Sequence, residues 1–353
     1  MGTYLETITA TDSYCFADSV VVTIRVNPTM TLFLIDSITN TLGQTIDYTV
    51  ILALAGGTET KTYSITNASG RVTINSVTGV VTVSGDLAAG TYVETITVTD
   101  ASGSSTEESF TIRVNSAVGI SGGSEIVTTF GRAESSTAFQ GVGGTGTRTF
   151  SISTNSNGIT IDPTSGVVTV AATVAGTFVE TVTVTDALGA FSETTIVVTV
   201  NETPVLVAKS GLGSTFGTSY SFTPFTLTGG SAPFTYSISG NIDSFTINSA
   251  TGEVTVSGSL VAGSYTFSIT ATDFFGFADT DLVTFTINGA LSITAPADET
   301  STAGFTRALP APSVSGGTGT KTYSLTSTPS GFSIDTATGV VTIGSTVTQG
   351  TYN

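Results

Sequence analysis

Laid against itself, the chain repeats, and the period of that repeat limits the fold more than any other feature. Gly-Gly pairs begin at Gly56, Gly143, Gly229 and Gly316, and a Thr-Gly or Ser-Gly turn before a valine-rich segment has its glycine at Gly79, Gly166, Gly252 and Gly339. Both series step by 86 or 87 residues. A Gly-Thr/Ser-Tyr/Phe step recurs at Gly2, Gly90, Gly176, Gly263 and Gly350, a Thr-Asp step at Asp12, Asp100, Asp186 and Asp273, and a closing asparagine at Asn27, Asn115, Asn201 and Asn288. Every copy carries the same punctuation, so one small fold is built several times.

Within one copy, alternation of apolar and polar residues predicts seven short strands, near residues 30–35, 45–54, 60–66, 71–74, 80–84, 91–99 and 106–114. Seven strands in about 87 residues indicate a sandwich of two sheets. In the sixth strand Tyr92, Ile96 and Val98 alternate with Val93, Thr95, Thr97 and Thr99, which places the aromatic and aliphatic row inward and the threonine row on the exposed face. Turn chemistry agrees. In Asn75–Gly79, Asp162–Gly166, Asn248–Gly252 and Asp335–Gly339 an Asx side chain can bond back into a turn that glycine ends at positive φ. Asp100–Gly103 and its counterparts ending at Gly189 and Gly276 follow the same logic in a hairpin, and the first copy departs with Cys15 at the glycine position.

The segments Tyr-Ser-Ile, Ile-Asn/Asp-x-x-Thr-Gly-x-Val, Ala-Gly-Thr-Tyr and Val-Thr-Asp resemble the cadherin-like and putative-Ig modules of bacterial surface proteins, over essentially the whole chain. The resemblance implies Greek-key sandwiches joined end to end, in proteins of adhesion, surface layers or filaments. The expected fold class is all-β: tandem Ig/cadherin-like seven-stranded β-sandwich modules arranged as a rod. The expected division is a partial module at 1–27 holding the last two strands, complete modules at 28–115, 116–201 and 202–288, and a partial module at 289–353 holding the first five.

Composition restricts function. Net charge is −17 with nine Lys plus Arg, so a phosphate backbone or anionic membrane would be repelled, and nucleic acid is set aside as a partner. The longest apolar run, Val50–Ala55, is too short to span a bilayer. The lone Cys15 has no partner for an internal disulfide. Few lysines, much Thr, Ser and Gly, and an acidic balance point to a bacterial or archaeal cell-surface location. The start, Met1 to Glu6, has neither a basic nor an apolar leader region, so the chain is expected to be a piece of something longer or a processed product.

Without histidine there is no Ser-His-Asp triad, Cys-His pair or His-containing metal site. The Gly-Gly-Thr-Gly segments lack a P-loop lysine and a following helix, and the absence of tryptophan argues against a sugar cleft. No catalytic function is therefore expected. Calcium is the one candidate cofactor: Asp100, Asp186, Asp273 and Glu202 lie where junction acids could gather, with Asp298 and Glu299 near another junction, but the Asp-rich interdomain segment of cadherins is absent. Turn-forming aspartate is the plainer reading. Asn67-Ala-Ser and Asn201-Glu-Thr are glycosylation sequons.

Comparison of the copies predicts one buried pairing. Lys61, Arg148, Phe234 and Lys321 share a position two residues before a core aromatic, and Glu94, Glu180, Phe267 and Glu6 share one in the later strand. Lys goes with Glu, Arg with Glu and Phe with Phe, which predicts an ion pair or an aromatic contact across the sandwich. The alternative is that each cation snorkels to solvent.

The ends are out of phase. Either the sequence is a window on a longer array, or the amino-terminal strands of one subunit complete the carboxy-terminal sandwich of the next. The expected function is accordingly an extracellular structural repeat protein of a fibre, filament or layer, partnered by other copies of itself or by neighbouring modules. Two alternatives are an adhesin stalk that displays loops to a surface glycan or protein ligand, and an accessory region of a secreted enzyme.

Overall fold

The computed structural model describes residues 2–66, 69–153, 158–240, 243–327 and 329–352. They fall into two compact units: Met1–Ile126 with Ala133–Thr173 and Thr177–Thr199, and Val127–Arg132 with Val174–Gly176 and Val200–Asn353. No helix is long and apolar enough to cross a membrane among the described residues.

The first unit opens with a hairpin of β1 (Gly2–Thr11) and β2 (Ala17–Val26). The first full repeat follows as β3 (Thr31–Leu34), β4 (Ser37–Thr41), β5 (Ile46–Tyr48), β6 (Ile51–Ala55), β7 (Lys61–Ile65), β8 (Val72–Ile74), β9 (Val81–Val83), β10 (Gly90–Asp100) and β11 (Ser105–Asn115). One sheet runs β4-β11-β10-β7, with β4 parallel to β11; opposite it lie β3-β6 and β5-β9-β8. A strand that leaves one sheet to join the other in parallel with the last strand gives this Greek-key sandwich an Ig/cadherin-like topology. Val72, Val81, Val83, Ile96, Val98, Phe110 and Ile112 fill the space between the sheets, while Val93 and the alternating threonines of β10 face outward. The alternation of period 2 therefore places each side chain of β10 on the expected face.

The strand count differs from the expected seven: this repeat has nine. Ser37–Thr41 has one apolar side chain, so it carries no readable alternation, and its strand character comes from parallel pairing with β11. The expected strand at 45–54 is two strands, because β5 pairs with β9 whereas β6 pairs with β3. The same pairings recur in the second unit. There Leu212–Thr215, Ala278–Asn288, Gly263–Thr272 and Thr235–Ser239 form one sheet in that order, and Tyr220–Phe222, Val254–Val256 and Phe245–Ile247 form part of the other.

The stretch from Ser292 onward has only Ser292–Thr294 paired with Ser313–Ser315, and Arg307–Ala308, Val341–Ile343 and Phe332–Ile334 as a second small sheet. Residues 321–325, counterparts of β7, and 298–302, counterparts of β4, are not strands. In the first repeat those two strands pair with β10 and β11, and no counterpart of that hairpin follows residue 343 among the described residues.

Candidate functional site

The features that punctuate the sequence converge where one repeat meets the next. Each Gly-Gly pair holds the short connector that follows a closing asparagine. The N–H of the second glycine donates to a connector carbonyl: Gly57 to Pro28 O at 2.9 Å, Gly144 to Ser116 O at 2.9 Å, Gly230 to Glu202 O at 2.6 Å and Gly317 to Gly289 O at 2.8 Å. The first glycine lies against the next carbonyl so closely that an added Cβ at Gly56 would sit 2.2 Å from Thr29 O, with φ at +78°. Only glycine accepts both constraints.

Beside this loop lies a clasp of hydroxyls, an amide and a carboxylate. In the first unit Thr41 Oγ1, at the end of β4, donates to Asp186 Oδ2 at 2.6 Å, and Thr145 N donates to the same oxygen at 2.8 Å. The hydroxyls of Thr41 and Thr145 lie 2.7 Å apart, and Asn115 Nδ2 donates to Thr145 Oγ1 at 2.9 Å. In the second unit Thr129 Oγ1 donates to Asp273 Oδ2 at 2.5 Å and Ser231 N to the same oxygen at 3.1 Å; Thr129 and Ser231 hydroxyls lie 2.8 Å apart, and Asn201 Nδ2 donates to Ser231 Oγ at 3.0 Å. Each clasp thus joins a threonine and an asparagine of one repeat to a hydroxyl residue and an aspartate of the next. Thr41, Thr129, Ser231, Asp186 and Asp273 are all buried, so these bonds are shielded from competing water.

Two further sites are partial. At the third junction Thr215 and Thr318 hydroxyls lie 2.8 Å apart and Asn288 Nδ2 donates to Thr318 Oγ1 at 3.0 Å, with no carboxylate joining them among the described residues. In the first repeat Asp100 Oδ2 accepts from Thr58 N at 2.8 Å and Oδ1 accepts from Ser102 N, Ser102 Oγ and Ser104 N, and among the described residues no threonine hydroxyl of an earlier strand reaches Asp100.

The electrostatics follow from this donor count. Burial alone would raise the Asp186 and Asp273 carboxyls. The hydroxyl of Thr41 or Thr129, the N–H of Thr145 or Ser231 and two turn N–H groups more than offset it, and both carboxyls are held below the ordinary aspartate range. Asp100 is lowered as well, first by the Thr58 N–H and then by Ser102. These carboxylates are therefore occupied by hydrogen-bond donors, not turned toward a cation. No group of three or more His, Cys, Asp or Glu side chains that could hold a metal ion occurs among the described residues. Glu202 is exposed and serves through its backbone carbonyl, and Glu299 is bound to Arg307. Of the calcium candidates, Asp100, Asp186 and Asp273 thus each accept several hydrogen bonds within their own turns and clasps, and Glu202 stands apart from them on the surface.

The predicted cross-sandwich pairs require correction. Glu94 and Glu180 are buried as expected, but their partners are hydroxyls: Thr66 Oγ1 donates to Glu94 at 2.8 Å and Ser153 Oγ to Glu180 at 2.9 Å. Lys61 stands opposite Asp100 in the β7–β10 register, six residues along β10 from Glu94, and its Nζ donates to the carbonyls of Thr58 and Glu59. Arg148 caps the Gly143 carbonyl, and Lys321 caps those of Gly317 and Gly319. Phe267 packs on Phe245, with ring centroids 4.8 Å apart, while Phe234 stands beside Gly230. Glu6 is exposed opposite Val22. Positions that share a pattern across the repeats do not meet here, because antiparallel pairing carries the two to opposite ends of their strands.

The sequon at Asn67 lies outside the described residues, and the Asn201 amide is engaged in the second clasp. Sequence reading missed Thr41, Thr129 and Thr215 as site residues. Their signal was available, since they recur with the period of the array at a fixed distance before Gly43, Gly131 and Gly217.

No family model and no curated protein matches this chain. Among solved structures it is similar to the titin I-band fragment I67–I69 at 12% identity, over 73% of this chain and 98% of that one, with a TM-score of 0.38. It is similar to mouse cadherin-23 EC22–24 at 16% identity, over 74% and 99%, with a TM-score of 0.29. Sidekick-1 immunoglobulin domains 1–5 give 12% identity, 92% and 77%, with a TM-score of 0.36. Likenesses this low carry no functional argument.

Proposed function

We propose that the chain is a stretch of structural repeats from an extracellular protein of a bacterial or archaeal surface, serving as a stiff spacer in a fibre, filament or layer. The observation that carries this reading is the recurrent clasp. Buried hydroxyl–carboxylate bonds at Thr41–Asp186 and Thr129–Asp273 tie consecutive repeats, and the Gly-Gly loop fixes the connector beside them. A junction in which side chain and connector are both bonded resists hinge motion, as an array that transmits length must. The clasp uses hydroxyls where a cadherin-like array would use ions, so stiffness here needs no metal. The acidic, lysine-poor composition supports the surface location.

Negative-stain images of the wild type and of a Thr41→Val, Thr129→Val double variant test the reading. Straight particles of uniform length are expected for the wild type and bent ones for the variant. Wild-type particles bent freely at the junctions would refute it.

A further inference from the structure

We propose, beyond the spacer reading and independently of the clasps, that β3 of the first repeat is a lateral docking edge at which two copies of this chain pair strand to strand about a two-fold axis. The third repeat carries the same edge closed by two side chains that the first repeat lacks.

In the third repeat Val205–Ala208 pairs along one side only, with Phe225–Thr228. The backbone N–H groups on its other side are both taken: Leu206 N donates to Asp279 Oδ2 at 2.8 Å and Ala208 N to Asp281 Oδ2 at 2.8 Å. The two aspartates stand two residues apart in Ala278–Asn288, so they share a face and match the spacing of alternate ladder donors. Each is held in place by its other oxygen, which accepts from the N–H of the next residue, Thr280 or Leu282. First the Ala208 N–H and then the Leu282 N–H keep the Asp281 carboxyl below the ordinary aspartate range, so this guard stays charged at neutral pH. Two carboxylates thus occupy the donors that an added strand would need, which closes the edge.

The first repeat has the edge without the guard. Leu32 and Leu34 hold the positions of Leu206 and Ala208, and β3 pairs only with β6. Ile35 N donates to Val50 O, so the alternate N–H groups of Leu32 and Leu34 point away from β6, and neither has an acceptor among the described residues. Thr106 and Glu108 stand opposite Val98 and Ile96, as Asp279 and Asp281 stand opposite Ala271 and Ile269, but they make no bond to β3 among the described residues. Lys61 on β7 and Arg71 beside β8 put a cation at two other edges of this repeat, whereas residues 29–35 hold no charge.

The occupant that fits is a second β3. A strand that offers N–H and C=O at alternate residues meets its own pattern when turned antiparallel. With the two-fold axis at Phe33, Leu32 of each copy exchanges both backbone bonds with Leu34 of the other. Phe33, 60% exposed in the single chain, then stands opposite Phe33 of the second copy on the outer face, where a directly opposed aromatic pair is favourable. The Leu32 and Leu34 side chains stay buried in their own core. The contact is isologous and closes at two copies, so it ties chains side by side.

Sedimentation velocity of the full chain across a concentration series, with hydrogen exchange at both ends of the series, tests the edge. The wild type should dimerise reversibly, and the Leu32 and Leu34 amides should gain protection in the dimer. Phe33→Lys, on the exposed face, should stay monomeric over the same range with an unchanged melt, because it sets two cations opposite each other. Thr106→Asp with Glu108→Asp, which installs the guard of the third repeat, should also be monomeric and should protect the same two amides within the monomer. A wild type that is monomeric at every concentration overturns the proposal. So does a dimer in which Leu32 and Leu34 exchange as fast as in the monomer, or a pair of variants that associate as the wild type does. Each of these results leaves the clasps, and the spacer reading, untouched.

Discussion

Replacing Thr41 by valine keeps the shape of the side chain and deletes the hydroxyl that reaches Asp186. A hydrogen bond to a charged acceptor contributes about 1.5–3 kcal/mol net, and the site is buried, so water cannot substitute. Asp186 retains the Thr145, Leu188 and Ala190 N–H donors, so its own turn stays in place and the loss falls on the junction. At about 1.4 kcal/mol per tenfold, native-state hydrogen exchange should show the Thr145 amide, which is bonded to Asp186, losing about 10- to 150-fold in protection. The Leu42 amide, bonded to Asn115 O across the end of β4, should follow it. Amides of the β8–β9 pair in the same repeat should not change. In an Asp186→Asn background the same substitution should cost much less, because the two side chains share one interaction. Unchanged protection at Thr145, or losses that add within about 0.5 kcal/mol in the double variant, would refute the clasp as an energetic link.

Three further outcomes are expected. Thr66→Val should destabilise the first repeat by about 1–3 kcal/mol by stranding the buried Glu94 carboxylate, whereas Glu107→Gln on the exposed face should stay within about 0.5 kcal/mol, both read from thermal melts. Gly56→Ala should cost about 3 kcal/mol or more through clash with Thr29 O and left-handed strain, against about 1 kcal/mol for Gly103→Ala, where φ is +84° but nothing lies within 4 Å, as calorimetry can compare. The lowered carboxyls of Asp186 and Asp273 mean that the unfolded chain takes up protons first on acidification. Their stabilisation is therefore complete above the ordinary aspartate value of about 4 and is lost as pH falls below it, and the acid transition of Thr41→Val should be shallower than that of the wild type in melts from pH 6 downward.

Much of the fold was legible because it is carried by local chemistry. Asx turns, positive-φ glycines and period-2 alternation mark each strand end and each face, and repetition made them readable four times over. What was not legible depends on partners distant in sequence. Ser37–Thr41 is a strand because β11 lies parallel to it, and nothing in Ser-Ile-Thr-Asn-Thr announces that. The series Asp100, Asp186 and Asp273 was visible as turn aspartates, but their second role requires Thr41 or Thr129, separated by 145 or 144 residues in the buried clasps. Lys61 and Glu94 shared a pattern across copies without sharing a place, since strand register and not repeat position decides which side chains meet.

On the proposed reading, hydrogen-bonded clasps fix one repeat against the next without metal. Residual dipolar couplings measured on the full chain, with and without a calcium chelator, test it most directly by reporting whether the repeats joined by Thr41 and Asp186 share one alignment frame. A single frame is expected in both conditions, and separate frames when Thr41→Val is introduced. Repeats that orient independently in the wild type, or that share a frame only when calcium is present, would contradict it.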